Sequence, residues 1–267
     1  MAILVNGSKF DLSQKFPDGT FAFGHTVKNF SAIISWHYEC EEELLALYYI
    51  VRHLHDHNCR NVVLKMPYVP NARMDRVQEP QNVFTLKYFA DFINALKLSQ
   101  VSILDPHSTV APALINNVII ESPRCFIEQS LEDINDPELG VFYPDEGSLK
   151  RYHGMLKLPS GFGIKERDWD TGKIRKLKLA DFENIAGRNV LIVDDICSRG
   201  GTFYHSARAL KENGVGDIYL YCTHCENTIF AGELLKAGFI KHIYTTNSVL
   251  TKRHEKITAW NCDSIFE

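Results

Sequence analysis

The string Val190-Leu-Ile-Val-Asp-Asp-Ile-Cys-Ser-Arg-Gly-Gly-Thr202 constrains the fold more than any other stretch. It begins as a buried strand, ends in two acids, crosses a small glycine-bearing turn and opens a helix, which is the start of a βα unit. The same alternation runs along the chain. Short apolar runs rich in β-branched residues predict strands at Ala32–Trp36, Val62–Met66, Val101–Leu104, Val118–Ile120, Val190–Val193, Ile218–Cys222 and Ile240–Tyr244. Between them, helical periodicity predicts helices over Glu41–His57, Thr85–Leu96, Thr202–Asn213 and Thr228–Ala237, with Gly214 and Gly238 placed to end the last two. The class is α/β with mainly parallel sheets. Glu128–Gly140 is polar and without strong period, and it predicts a crossing segment between domains at 1–127 and 128–267.

Composition narrows the function classes. A formal net charge of -4 gives no electrostatic reason to expect nucleic acid or an anionic membrane as main partner. No apolar run approaches the roughly 20 residues of a membrane span, and the N-terminus lacks a signal-peptide pattern, so a cytoplasmic protein is expected. Seven cysteines, scattered through a chain of this size, read as reduced thiols. Cys222 and Cys225 are the only close pair. With His224 alone beside them they lack the second ligand pair of a zinc site, and they read as a strand end followed by a turn.

The chemistry concentrates in the opening string. A helix N-terminus presents unpaired N–H groups, and Gly200 and Gly201 let a phosphate approach the backbone. Thr202 can cap the helix and donate its hydroxyl to that phosphate. Asp194 and Asp195, at the carboxyl end of the strand, suit the vicinal hydroxyls of a ribose or a hydrated magnesium ion.

This string resembles the signature shared by type I phosphoribosyltransferases and phosphoribosyl-pyrophosphate (PRPP) synthetases. The segment Pro67-Tyr-Val-Pro-Asn-Ala-Arg-Met-Asp-Arg76 resembles one that the synthetases carry and the transferases lack. Asp105-Pro-His107, Pro144-Asp-Glu-Gly147, Lys165-Glu-Arg167, Thr223-His224 and Phe16-Pro-Asp-Gly-Thr20 are similar to further synthetase motifs, in the family's order across nearly the entire chain. The resemblance implies two similar halves of type I phosphoribosyltransferase-like fold, each a mainly parallel sheet flanked by helices. It implies an enzyme that moves the β,γ-diphosphoryl group of ATP to an anomeric hydroxyl, with Mg2+ as cofactor and ATP as co-substrate.

The resemblance also assigns residues. Lys165 and Arg167 correspond to the transition-state pair, in a glycine-bearing segment (Gly161, Gly163, Gly172) expected to close over the site. Phe16, Asp18, Thr20, Arg73, Met74, Arg76 and His107 correspond to ATP-binding positions, and two arginines three apart suit polyphosphate oxygens. His107 and Asp145 become the expected magnesium contacts. Asp194, Asp195, Ser198, Arg199, Gly200, Gly201 and Thr202 form the ribose-phosphate site. Family members build nucleotide sites across subunits, so a homo-oligomer, dimer or hexamer, is implied.

Several positions depart from the pattern. Thr20 stands where the family carries an acid and Met74 where it carries glutamine, which bears on nucleotide selectivity. Pro80-Gln81 replaces a Ser-Arg pair used in allosteric phosphate binding, and the N-terminus reads as trimmed relative to typical synthetases. Ser198-Arg199 replaces Asp-Thr, losing an acid and gaining a base, which favours an acceptor with more phosphate. In this the loop is similar to a divergent branch that pyrophosphorylates ADP-ribose for NAD salvage. Phe203 and Tyr204 could border a second adenine or pack as helix core. Ribose 5-phosphate and ADP-ribose both stand as acceptors; a phosphoribosyltransferase and a noncatalytic synthetase-associated protein are the competing readings.

Overall fold

The computed structural model describes residues 3–167, 174–180 and 185–266, with the side chains of 165–167 and 174–179 outside that description. Two compact units divide the chain: Met1–Ser122 with Cys262–Glu267, and Pro123–Asn261.

The first unit contains β1 (Ile3–Val5), β2 (Ser8–Lys9), β3 (Ser31–Trp36), α1 (Glu42–Asp56), β4 (Asn61–Met66), α2 (Thr85–Ala95), β5 (Gln100–Leu104), α3 (Val110–Leu114) and β6 (Val118–Glu121). Its sheet runs β2-β1-β3-β4-β5-β6, with β3 to β6 parallel and the short β1 antiparallel to β2 and β3. Alternate residues of β3 and β4 point into the core, where Ile34, Trp36, Leu64 and Met66 are fully buried. On α1 the buried face is Ala46, Leu47, Ile50, Val51 and Leu54, the helical stripe that the 3.6-residue period produces. Each such side chain contributes about 1.5–3 kcal/mol when removed from water.

The second unit contains α4 (Arg124–Ile134), β7 (Gly140–Tyr143), α5 (Glu146–Tyr152), β8 (Ser160–Arg167), β9 (Ile174–Ala180), β10 (Val190–Cys197), α6 (Gly201–Glu212), β11 (Ile218–Cys225), β12 (His242–Thr246) and β13 (Ile257–Trp260). Its sheet runs β13-β12-β11-β10-β7-β8-β9 and is parallel except for the antiparallel β8–β9 pair. Every residue of β11 is buried, as expected of a central parallel strand covered on both faces. The α/β class with two mainly parallel sheets is therefore observed. Among the described residues no helix is long and apolar enough to cross a membrane.

Three local expectations are corrected. The polar stretch from Glu128 is no linker but the body of α4, whose buried Phe126, Ile127 and Ser130 begin a helical stripe just upstream of it. That helix ends where Asn135 adopts the left-handed conformation (φ 48°). The helix expected over Thr228–Ala237 is a 3-10 turn, Asn227–Ala231, followed by bends. There Gly232 runs against the backbone of Arg199 so closely that a Cβ would lie 2.0 Å from its carbonyl oxygen, a passage that a regular helix would not allow. Gly161 and Gly163 lie in β8, paired antiparallel with β9, rather than in a loop, and Gly172 falls outside the described residues. By contrast Gly214 (φ 78°) ends α6 as expected, with the Val215 amide donating back to the Leu210 carbonyl at 3.2 Å.

One buried polar contact anchors α1 to the end of β3. The Trp36 Nε1–H donates to Glu43 Oε2 at 2.9 Å, and the Glu39 amide donates to the same oxygen at 2.9 Å. Glu43 is only 4% exposed, so its carboxylate depends on these donors. Trp36→Phe, which removes the N–H and leaves a cavity in the core, should cost at least about 1–3 kcal/mol in chemical denaturation. Unchanged stability would contradict this anchoring role.

Candidate functional site

In the second unit the chain leaves β7 through α5 toward one side of the sheet and leaves β10 through α6 toward the other. The crevice beyond the carboxyl ends of these two neighbouring strands is where open α/β sheets bind ligands. Asp145 follows β7, and Asp194 and Asp195 lie within the extended end of β10.

Asp145 is the N-cap of α5. Its side chain accepts from the Ser148 amide at 3.1 Å, and the Ser148 hydroxyl answers the Asp145 amide at 3.2 Å, forming a capping box. Asp195 Oδ2 accepts from Arg151 Nη1 at 3.1 Å, and Oδ1 accepts from the Ile196 amide at 2.8 Å. Asp194 Oδ1 accepts from the Asp195 amide at 3.0 Å. Burial, followed by the negative charges of Asp195 and Asp145, pushes the Asp194 carboxyl well above the usual carboxylate range. Three carboxyl groups thus surround a site to which Arg151 supplies one neutralising charge.

The loop after β10 is held from behind. Gly200 has φ 79°, and a Cβ there would meet Leu234 at 2.7 Å, so only glycine fits without displacement. Gly201 has open space where a Cβ would point. Gly200 is the N-cap of α6 and no side chain caps the helix, which corrects the expectation that Thr202 does so. Thr202 sits one position inside the helix, half-buried, and the first amides of α6 face the loop without intrahelical partners. Arg199 is exposed and, among the described residues, forms no ion pair.

Sequence reasoning missed Glu226, which directly follows β11. Its Oε2 accepts from Ser198 Oγ at 2.5 Å and from Thr228 Oγ1 at 3.1 Å, and its amide donates to the Cys197 carbonyl at 2.8 Å. This carboxylate offsets part of the positive charge that the Ser198-Arg199 substitution suggests when the loop is read alone. Arg151 was equally hidden, because only the fold brings it to Asp195. A signal for Glu226 existed in an acid four residues beyond the strand expected over Ile218–Cys222. Thr223 and His224 lie inside β11, both buried; His224 Nδ1 bonds Ser248 Oγ at 2.8 Å, and the Thr223 carbonyl accepts from Thr246 Oγ1 at 2.7 Å. Phe203 is buried helix core, whereas Tyr204 is only partly buried against Phe239.

Lys165 and Arg167 belong to β8, and their side chains lie outside the described residues. The remaining predicted residues lie in the first unit. The segment after β4 turns at Asn71 (φ 62°), with the Met74 amide donating to the Asn71 carbonyl at 3.0 Å, and leaves Arg73, Met74 and Arg76 exposed. Arg76 Nε pairs with Asp75 Oδ1 at 3.0 Å while its own side chain remains 72% exposed. After the adjacent β5, Asp105 takes φ 41°, an unusual conformation that bends the chain into Pro106 and half-buried His107. The Leu104 amide donates to the Pro67 carbonyl at 3.2 Å, tying the strand ends that carry His107 and the arginine segment.

Phe16 to Thr20 form a tight loop closed by bridge pairing of Lys15 with Phe21, and Lys15 reaches Glu42 on α1 at 2.6 Å. Phe16 is 58% exposed, leaving a ring face available for stacking. Thr20 donates both its amide (3.0 Å) and its hydroxyl (2.7 Å) to Asp18 Oδ1, which holds that carboxyl below the usual range.

Comparisons with known proteins agree with this arrangement. The family model described as phosphoribosyl synthetase-associated domain matches residues 173–265. The chain is 29% identical to the ribose-phosphate pyrophosphokinase of Bacillus caldolyticus, over 81% of this chain and 69% of that protein. It is 24% identical to that of Saccharolobus solfataricus, over 83% and 77%, and 30% identical to that of Staphylococcus haemolyticus, over 71% and 60%. The crystal structure of phosphoribosylpyrophosphate synthetase from Mycobacterium smegmatis superposes with a TM-score of 0.70 at 17% identity, covering 84% of this chain and 74% of that one, which is a likeness of fold.

The raised Asp194 carboxyl has a measurable consequence. The folded protein holds this proton more tightly than the unfolded chain, so stability falls as pH rises from the ordinary carboxylate value through the raised one. Asp194→Asn, which keeps the acceptor for the Asp195 amide, should stabilise the unliganded protein by on the order of 1–2 kcal/mol at neutral pH, and the gain should shrink in acid. Thermal unfolding across pH checks this, and a pH-independent or negative change would contradict it. The chain is thus similar to ribose-phosphate pyrophosphokinases over most of its length, its residues 173–265 match the phosphoribosyl synthetase-associated domain, and it shares its fold with a phosphoribosylpyrophosphate synthetase.

Proposed function

We propose that the chain is an ATP-dependent pyrophosphokinase that transfers the β,γ-diphosphoryl group of ATP to the anomeric hydroxyl of a ribose 5-phosphate moiety. The observation that carries this reading is the combination at the end of β10: two aspartates, a glycine turn with open space at Gly201, and the uncapped start of α6. Similarity to named ribose-phosphate pyrophosphokinases supports it.

In this reaction the anomeric oxygen attacks the β-phosphorus, the bond between the α,β-bridging oxygen and the β-phosphorus breaks, AMP leaves, and the hydroxyl proton is lost. The amides at the start of α6 and Gly201 hold the 5-phosphate, and Asp194 and Asp195 orient the ribose hydroxyls. Arg73 and Arg76 hold the polyphosphate, and Phe16 stacks on adenine. Lys165 and Arg167 neutralise charge developing in the transition state.

Magnesium fits the donor set. Asp145, Asp194 and Asp195 are hard oxygen donors, and burial beside the other two acids makes the Asp194 carboxyl hold its proton abnormally tightly. When bound, magnesium would neutralise phosphate charge; Asp145 of the second unit and His107 of the first are each proposed as a magnesium contact. Subunits of an oligomer complete the nucleotide site in this reading.

A specific observation favours ADP-ribose as acceptor beside ribose 5-phosphate. Arg199 is exposed at the phosphate loop where the family places no base, and it is free among the described residues to take a second phosphate. Purified protein with magnesium and ATP, offered each acceptor in parallel, should release AMP with at least one. No AMP from either would overturn the reading. Arg199→Thr should lower kcat/KM for ADP-ribose relative to ribose 5-phosphate by about tenfold to a hundredfold, the worth of a charge-assisted hydrogen bond. An unchanged ratio would remove Arg199 from acceptor choice.

A further inference from the structure

The fold gathers three thiols that are scattered in the sequence. Cys197, Cys222 and Cys225 are all buried, and their sulfur atoms lie within 4.8 Å of one another. Cys197 ends β10 and stands opposite Cys225 in the parallel register with β11. Cys222 lies three residues before Cys225, a spacing that in a regular strand points side chains to opposite faces. The register of β11 against β12 shifts between Tyr221 and His224, and such an irregularity re-aims side chains. That shift brings the thiol of Cys222 to the side occupied by the other two.

We propose that Cys197, Cys222 and Cys225 form a thiolate site for a single thiophilic divalent cation of the Zn2+ class. Sulfur atoms around tetrahedral zinc, each about 2.3 Å from the metal, stand about 3.8 Å apart. Closing the trio from its present separations takes at most about 1 Å per pair at that geometry, within reach of small χ1 adjustments. Soft thiolates select zinc-like ions over the magnesium that oxygen donors take, so this site is chemically distinct from the carboxylate crevice. The Thr245 hydroxyl, 3.9 Å from Cys222 Sγ, or a water supplies the fourth position.

Binding replaces three S–H bonds by three metal–sulfur bonds and releases three protons to solvent, leaving a complex of net charge -1 with a divalent ion. All three residues are buried, so the ion reaches the thiols through transient local opening of the strand ends, and exchange with added metal or chelator is slow. The site staples β10 to β11 immediately before Ser198. Occupancy should therefore stiffen the phosphate loop, whose Ser198 and Glu226 flank Cys197 and Cys225 in the chain.

The test uses the full chain with its exposed thiols removed, Cys40→Ser with Cys125→Ser, purified without chelator. Elemental analysis should find about one zinc per chain, and the metal-free protein titrated with Cd2+ should develop an ultraviolet sulfur-to-metal charge-transfer band saturating at one equivalent. Zn2+ alone should raise Tm by several degrees, reversibly with chelator. Cys222→Ala should abolish the band, with circular dichroism verifying the fold. Cys262→Ala, which removes the thiol of the separate His37, Cys262 and Asp263 group, should leave the band unchanged. Absence of a one-equivalent band in the parent protein overturns the proposal whether or not the variants fold. A band lost with Cys262 and kept without Cys222 overturns it too, as does a thiol count showing two of the three joined in a disulfide.

Discussion

Everything at the candidate site depends on the parallel pairing of β10 between β7 and β11. A strand buried on both faces cannot shift register without moving Leu191, Ile192 and Val193 out of the core, so its acidic end is held in place by the apolar residues before it. The pairing sets the carboxyl ends of β7 and β10 side by side, and Asp145, Asp194 and Asp195 follow from that alignment. Their mutual repulsion is a stability cost concentrated where β7 ends and β10 runs on into its loop. Clustered acids of this kind are common where a protein is shaped around a ligand rather than for its own stability.

The loop beyond β10 is equally overdetermined. Leu234 presses on Gly200 from behind and the Arg199 backbone presses on Gly232, so the loop after β10 is fixed by a chain passage from a distant part of the sequence. Glu226 then holds Ser198, which leaves Arg199 as the exposed cation of the loop. The charge change that marks this loop is therefore divided: the serine side is compensated locally and the arginine side faces solvent.

The strands β3, β4, β5, β6, β10, β11 and β12 were legible because β-branched runs separated by helical periods have few alternative readings, whereas β1, β2, β7, β8, β9 and β13 were not expected. Within Val190 to Thr202 the strand start, the glycine turn and the helix start are local signals and were legible, but the strand expected to end at Val193 continues through both acids to Cys197. What escaped was set by distance. Arg151 and Asp195 are 44 residues apart, Ser198 and Glu226 28, and no local pattern announces either pair. Cys222 and Cys225 alone read as a strand end because the third thiol comes from another strand. The helix expected over Thr228–Ala237 failed for the same reason, its local propensity yielding to the close passage of Gly232. On the other side, α4 was overlooked because its apolar face begins before the polar stretch that drew attention.

The central claim is transfer of an intact diphosphoryl group to an anomeric oxygen, and phosphorus NMR of a complete turnover tests it most directly. With ATP, magnesium and a competent acceptor, AMP and a sugar-linked diphosphate should appear in equal amounts, the two phosphorus signals of that diphosphate coupled to each other. Formation of ADP with a monophosphate ester, or of free pyrophosphate without sugar-linked product, would contradict the account.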